Sequence, residues 1–186
     1  KGDNLFQMDL MRVKRDLEMV PMIESAAVDR VLPDTLRIRV AERNPVAQAV
    51  LYWQSANGNL ARKIFWVDQH GFVTEPLDPQ LALKKRSKKW LPVLVGVDQA
   101  DLLPGRSIKS PQVRAALELI SRFDQSPMAG LAHMRHIDVR GRETMEVSTW
   151  QGATVRLSLR GLDRQLARWR QILDLGRKHS QAIATV

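Results

Sequence analysis

The chain has 186 residues, 44% of them hydrophobic, and it contains no cysteine. This length fits one large domain or two small ones, and the apolar content is sufficient for a hydrophobic core. The absence of cysteine excludes disulfides, thiolate metal sites and a cysteine nucleophile. No uninterrupted apolar run of about eighteen residues occurs, so no segment of this sequence reads as a membrane-spanning helix.

The sequence is strongly basic, with a formal net charge of +9 at pH 7. Such a balance favours binding to nucleic acid, to anionic lipid headgroups or to an acidic protein. It also fits a soluble domain that carries arginine over its whole surface, because the arginines are scattered along the chain. The concentrated run Lys84–Lys89 lacks interleaved aromatic residues for base stacking. We interpret it as a solvated loop, with a phosphate or lipid contact as the alternative.

The first predicted element is a short amphipathic helix that begins after Asp9, a favourable N-cap residue. Apolar residues recur behind it at spacings of three and four, which places them on one helix face. Pro21 ends the helix at or before Val20, because proline cannot continue the helical hydrogen bonding. The residues on the apolar face are Leu10, Val13, Leu17 and Val20.

A β-hairpin is predicted next, with Pro33 and Asp34 in its turn. In its second strand, apolar and arginine side chains alternate with a period of two. We predict that the apolar set faces a core and the arginines face water. The apolar set is Leu36, Ile38 and Val40, and the arginines are Arg37 and Arg39.

The sequence pattern changes at Pro45, which lacks an N–H group and therefore interrupts strand pairing. Short strands are predicted after it, including a hairpin whose turn, residues 68–71, ends on Gly71. Glycine at that position indicates a positive φ.

The remainder alternates helices and strands. Ser110 and Pro111 open a second helix, where a proline at the first position costs no hydrogen bond. A third helix is predicted from Leu162 to about Leu175, with Gly176 as its C-terminal cap. Between the helices lie three predicted strands with alternating apolar residues: Ile137 and Val139, then Met145 and Val147, then Val155, Leu157 and Leu159.

The segment from Ala26 to Ala47 reads A-x-V-x-R-x-x-P-D-T-L-x-I-x-V-x-E-R-x-P-V-A. This pattern resembles the POTRA domain of the bacterial cell-division family FtsQ (DivIB). The preceding residues 2–6, the V-D-x-x-G-x-V hairpin at 67–73 and the L-P-V-L-V-G stretch at 91–96 fit the same family. So does the later helix pattern at 166–173, although the loop before that helix, residues 159–161, is one residue longer than is usual there.

The resemblance implies an α+β fold in two domains. Residues 1–45 correspond to a POTRA domain whose first strand and helix are expected before Lys1. Residues 46–186 correspond to a mostly antiparallel β-domain with two helices, whose last strands are expected after Val186. Because its covering elements are incomplete, we expect the first domain to be the less stable of the two.

The candidates for chemistry are few. His133, His136 and Asp138 are the one cluster with metal-ligand chemistry, but the sequence suggests no fourth ligand or general base. There is no Gly-rich phosphate loop and no nucleophile with an adjacent base. We therefore expect no enzymatic activity, no metal and no cofactor.

The resemblance also implies a function. Members of this family are non-enzymatic scaffolds of the divisome, anchored in the inner membrane by one upstream helix, with the two domains in the periplasm. Their partners include FtsB and FtsL, which bind through a β-sheet edge by strand addition. Here the predicted edge residues are Val155, Leu157, Leu159, Ala184, Thr185 and Val186. The alternative from composition is a basic domain that binds nucleic acid or a membrane surface.

Overall fold

A computed structural model describes residues 7–76 and 91–178. The chain divides into two compact units, Lys1–Asn44 and Pro45–Val186, here called unit 1 and unit 2. The basic run Lys84–Lys89 and the predicted edge residues Ala184, Thr185 and Val186 lie outside the described residues. That the two units fold as independent domains stays a prediction.

Unit 1 consists of one helix and one hairpin in its described part. The helix α1 spans Leu10–Glu18, and its N-cap is Asp9, whose carboxylate accepts hydrogen bonds from Met11 N at 2.9 Å and Arg12 N at 3.2 Å. The helix ends before Val20, as Pro21 predicts. Strands β1 (Ile23–Val31) and β2 (Thr35–Glu42) then pair antiparallel.

The predicted core face of β2 is only partly correct. Arg37 and Arg39 face water as expected, but Ile38 and Val40 are 45% and 44% exposed, and Leu36 is only half-buried. The alternation holds, because Ile38 pairs with Val28 and Val40 pairs with the buried Ala26. One nine-residue helix on two strands offers too little apolar surface to enclose a complete sheet face.

The described part of unit 2 is built on a sheet of seven strands with the order β5-β4-β3-β6-β7-β8-β9. Four of the six strand pairs are antiparallel, and β6 is parallel to both of its neighbours, β3 and β7. The strands are β3 (Pro45–Gln54), β4 (Leu60–Asp68), β5 (Val73–Thr74), β6 (Val93–Val95), β7 (Met134–Asp138), β8 (Thr144–Thr149) and β9 (Thr154–Ser158).

Two long helices bury their apolar sides with the strands in one core. Helix α2 spans Pro111–Gln125 with Ser110 as its N-cap, and α3 spans Leu162–Lys178. Trp169 of α3 is 1% exposed, and its ring centroid lies 5.6 Å from that of Phe123 on α2. The apolar residues that recur at spacings of three and four along α2 are all buried: Val113, Ala116, Leu117, Ile120 and Phe123.

The α+β fold with a mostly antiparallel sheet and two helices in unit 2 is confirmed. Gly71 adopts φ +78°, as the turn predicts. The predicted end of α3 is wrong: Gly176 lies inside the helix and is buried, and the helix continues to Lys178. A glycine that is buried inside a helix cannot be distinguished by sequence from one that caps the helix C-terminus.

Candidate sheet-edge site

Strand β9 is the outermost strand of the described sheet on its side and pairs with β8 alone. The register places Val155 opposite Val147 and Leu157 opposite Met145. Val155 and Leu157 are 1% and 3% exposed, so their side chains belong to the core and are closed to a partner.

The backbone groups of β9 alternate between its two sides. Leu159 N donates to Glu143 O at 3.0 Å, which directs Leu159 toward the β8 side. In an antiparallel pair, residues with this orientation recur every second position, so Val155 and Leu157 also bond toward β8. Thr154, Arg156 and Ser158 therefore direct their N–H and C=O groups to the open side.

At Ser158 this open side is occupied by a side chain of the same chain. Gln165, the fourth residue of α3, accepts a hydrogen bond from Ser158 N through Oε1 at 2.8 Å. Its Nε2 donates to Ser158 O at 3.2 Å and to Arg160 O at 2.7 Å. The carboxamide thus satisfies both edge groups of Ser158.

A row of exposed cations lies beside this edge. Arg160, Arg164 and Arg168 recur at intervals of four and are all exposed, and no ion pair is described for them. The acidic residues of α3 are paired elsewhere: Asp163 with Arg122, and Asp174 with Arg170 at 2.8 Å. Arg160 in the loop before α3 and Arg164 and Arg168 on α3 therefore attract negative charge.

The His133–Asp138 segment does not assemble a metal site. His133 Nδ1 lies 3.1 Å from Gln151 Nε2, and His136 Nδ1 lies 3.3 Å from Ser148 Oγ. Asp138 pairs with Arg140, which lowers the pKa of the carboxyl. Among residues 7–76 and 91–178, no three metal-ligating side chains converge.

Three of the six predicted edge residues are thus described: Val155, Leu157 and Leu159. The side chains of Val155 and Leu157 lie in the core, and the backbone groups of all three are directed toward β8. Sequence reasoning missed Thr154, Arg156 and Gln165. The period-two pattern that identified Val155 and Leu157 as apolar also implies that their neighbours carry the outward backbone groups. No comparable signal pointed to Gln165, because its contact crosses from a helix to a strand.

In the described residues, a helix–hairpin unit is followed by a unit of seven strands and two long helices. These elements define the class of the molecule: a two-module α+β protein with a POTRA-type first module. Residues 1–43 match the family described as "POTRA domain, FtsQ-type", and residues 51–186 match "Cell division protein FtsQ/DivIB, C-terminal". The chain belongs to the FtsQ/DivIB family of cell-division proteins.

Curated relatives agree with this assignment. The chain is 36% identical over 123 residues to the cell division protein FtsQ of Syntrophotalea carbinolica, a match that covers 66% of this chain and 38% of the relative. It is 28% identical over 145 residues to FtsQ of Koribacter versatilis, covering 78% and 37%, respectively. With FtsQ of Anaeromyxobacter sp. it shares 27% identity over 173 residues, covering 93% and 53%. The chain thus spans between about a third and a half of the length of these relatives. In its described part, no helix is long and apolar enough to cross a membrane.

Proposed function

We propose that this chain acts as a non-enzymatic, extracytoplasmic scaffold of the divisome that binds FtsB and FtsL by strand addition at its β9 edge. The observation that supports this best is the geometry of β9. Thr154 and Arg156 direct backbone donors and acceptors away from β8, and no described strand pairs with them. An open strand edge is the feature that β-augmentation requires.

The proposal fits the rest of unit 2. The side chains of Val155 and Leu157 anchor β9 in the core, so the edge is held rigidly. Main-chain hydrogen bonding gives a partner strand affinity without needing a side-chain pocket. Localisation in the periplasm and an anchoring helix upstream belong to the same proposal, and they rest on the family.

The test uses an FtsB-derived peptide and isothermal titration. Arg156→Pro removes an N–H that points away from β8, so it blocks strand addition while leaving the β8–β9 ladder bonded. Arg156→Ala is the matched control, since it loses the side chain and keeps the N–H. We expect at least tenfold weaker binding for Arg156→Pro and little change for Arg156→Ala. An equal loss in both, or no loss in either, would place the partner site elsewhere.

A second titration tests where the strongest contacts lie. The resemblance implies that the final strands of the β-domain form the FtsB-binding edge, so we expect a version of the protein extended beyond Val186 to bind the peptide more tightly. Equal affinity of the two versions for the peptide would indicate that the partner site lies on unit 1.

The arginine row supports a second candidate, a surface for nucleic acid or anionic lipid. No ion pair is described for Arg160, Arg164 or Arg168, so all three present unneutralised positive charge. Phosphate binding weakens steeply with salt, whereas strand addition does not. Titration of a DNA duplex and of anionic vesicles at low and moderate salt separates the two candidates.

A further inference from the structure

We propose that Asn57, in the turn of the β3–β4 hairpin, is a site of spontaneous modification at which water converts the side-chain amide to aspartate and isoaspartate. Asn57 is followed by Gly58, and both residues are exposed. The other asparagines of the chain are Asn4 and Asn59, which precede leucine, and Asn44, which precedes proline. Glycine is the residue that least hinders reaction of its own backbone nitrogen with the side chain before it. The inference is independent of the proposed partner site.

The turn lies at the end of a two-stranded ribbon that no other described strand supports. Strand β3 pairs with β6 only at residues 48–49, and β4 pairs with β5 only at residues 66–67. Beyond these residues, as far as the last pair, Gln54 with Leu60, β3 and β4 are bonded to each other and to no further described strand. A two-stranded ribbon by itself is only marginally stable in water. The turn at its end therefore opens more easily than the body of the sheet.

Within the turn, the two reacting groups are neighbours and have room to react. Gly58 has a φ of +76°, and a Cβ added to it would meet no atom within 4 Å. No hydrogen bond is described for the side chain of Asn57, so its amide has no partner to leave. Gly58 N donates to Ser55 O at 2.9 Å, and Ser55 N donates to Asn59 O at 2.8 Å. These two bonds are the protection that opening of the turn removes.

The reaction needs water and no other reactant. When the N–H group of Gly58 loses its proton, the nitrogen attacks Cγ of Asn57, so that a new N–Cγ bond forms and the Cγ–Nδ2 bond breaks. Nδ2 leaves as ammonia and takes up the proton lost from Gly58, and a cyclic succinimide remains. Water then opens this ring: attack at Cγ gives aspartate, and attack at the main-chain carbonyl carbon gives isoaspartate. No atom is oxidised or reduced.

Both products change the ribbon. Residues 46–67 contain Arg62 and Lys63 and no acidic residue, so the new carboxylate is the first negative charge among them. Isoaspartate also carries the main chain through Cγ, which adds a methylene group to the backbone of the turn. We therefore expect faster amide exchange in residues 55–60 of the isoaspartyl form, with little change in its thermal unfolding, because the turn lies outside the core.

Incubation of the intact chain at neutral pH and physiological temperature, followed by peptide mapping, tests the reaction. Trypsin, which cleaves after lysine and arginine, releases residues 44–62 as one peptide, so Asn44, Asn57 and Asn59 are compared within a single fragment. We expect Asn57 to convert about tenfold or more faster than Asn59, because the leucine after Asn59 hinders ring closure. Isoaspartyl methyltransferase identifies the isoaspartate, since it does not label ordinary aspartate. Conversion of Asn57 no faster than that of Asn59 would overturn the proposal.

Two glycine variants separate ring closure from loosening of the turn. Gly58→Ala should slow the conversion of Asn57 about tenfold or more, because a Cβ on the attacking residue restricts closure of the ring. Gly152→Ala is the matched control and should leave the rate unchanged. Gly152 also has a positive φ, +88°, and no atom within 4 Å of an added Cβ, but it lies in the turn between β8 and β9. An undiminished rate in Gly58→Ala would contradict the proposed attack by Gly58 N.

The chain unfolded in urea gives the rate at Asn57 when no turn protects it. The folded chain should react no more than about a hundredfold more slowly, because the end of the ribbon opens locally. In both states the rate should rise with pH, since Gly58 N reacts only after it has lost its proton. Conversion confined to the unfolded chain would overturn the proposal, because the folded turn would then keep Gly58 N bonded to Ser55 O.

Discussion

The two units have equally clear amphipathic sequence patterns, but they bury very different numbers of apolar side chains. In the described part of unit 1, Ala26 is the one apolar residue that is fully buried, whereas unit 2 encloses a continuous core from Ala47 to Trp169. Charge divides in the same way: residues 1–44 contain eight basic and eight acidic residues, so the net +9 lies entirely in residues 45–186. An amphipathic pattern identifies a face, but a second layer of structure is needed to bury it.

The largest expected effect is in the core of unit 2. Trp169→Ala removes a side chain that is 1% exposed and packs against Phe123. We expect a loss of about 3–5 kcal/mol in the free energy of unfolding, measured by urea denaturation. A loss as small as that of Ile38→Ala in unit 1 would remove the contrast between the units.

The second prediction compares the units directly and tests the proposed boundary near residue 45. Amide exchange in residues 9–40 should be at least tenfold faster than in residues 153–175, because α1 and the hairpin bury little apolar surface. Mass spectrometry of exchanged peptides gives this measurement. Better protection of residues 9–40 would show that unit 1 is the more stable one.

A pair of glycines tests how strictly unit 2 is packed. Gly71 and Gly58 have similar positive φ angles of +78° and +76°, but an added Cβ at Gly71 would lie 3.2 Å from Ile108 O, whereas none meets Gly58 within 4 Å. In both alanine variants, holding the residue in the left-handed conformation lowers the free energy of unfolding by about 1–2 kcal/mol. Gly71→Ala should lose more stability than Gly58→Ala, and equal thermal shifts would mean that the turn relaxes freely.

A smaller effect is expected in unit 1. Ile38→Ala should cost about 1 kcal/mol, less than for a buried isoleucine, because the side chain is 45% exposed. Arg39→Ala breaks an exposed ion pair with Asp29 at 2.7 Å and should cost about 0.5 kcal/mol or less. Denaturation of both variants in parallel checks this order; a cost above about 2 kcal/mol for Ile38→Ala would show that its face is covered in solution.

The smallest effect concerns pH. Burial, together with the charge of Arg135, lowers the pKa of His136 below its usual range. The unfolded chain then binds a proton at a higher pH than the folded one, so stability falls as the pH drops below about 6.5 toward the folded pKa. Thermal melts between pH 5 and pH 7.5, about the range that brackets this titration, should show a shallower decline for His136→Asn. An unchanged decline would assign the pH dependence to other groups.

Much of the local structure was predictable because it depends on short-range chemistry. Asp9 caps α1 with its own carboxylate, Pro111 fits the first position of α2, and Gly71 supplies a positive φ. The α2 face and the alternation of β7, β8 and β9 follow from periodicity alone. The family pattern likewise lies in contiguous residues, which is why it was recognisable without a structure.

What the sequence did not determine depends on contacts between distant elements. Examples are the parallel pairing of β6 with β3 and β7 and the burial of Gly176 inside α3. The exposure of Ile38 and Val40 is another, because the one helix of unit 1 offers little apolar surface to cover them. The contact of Gln165 with Ser158 is of the same kind, because it exists only where a helix passes the end of a particular strand. Periodicity shows which residues share a face, whereas tertiary packing decides whether that face is covered and which backbone groups remain open.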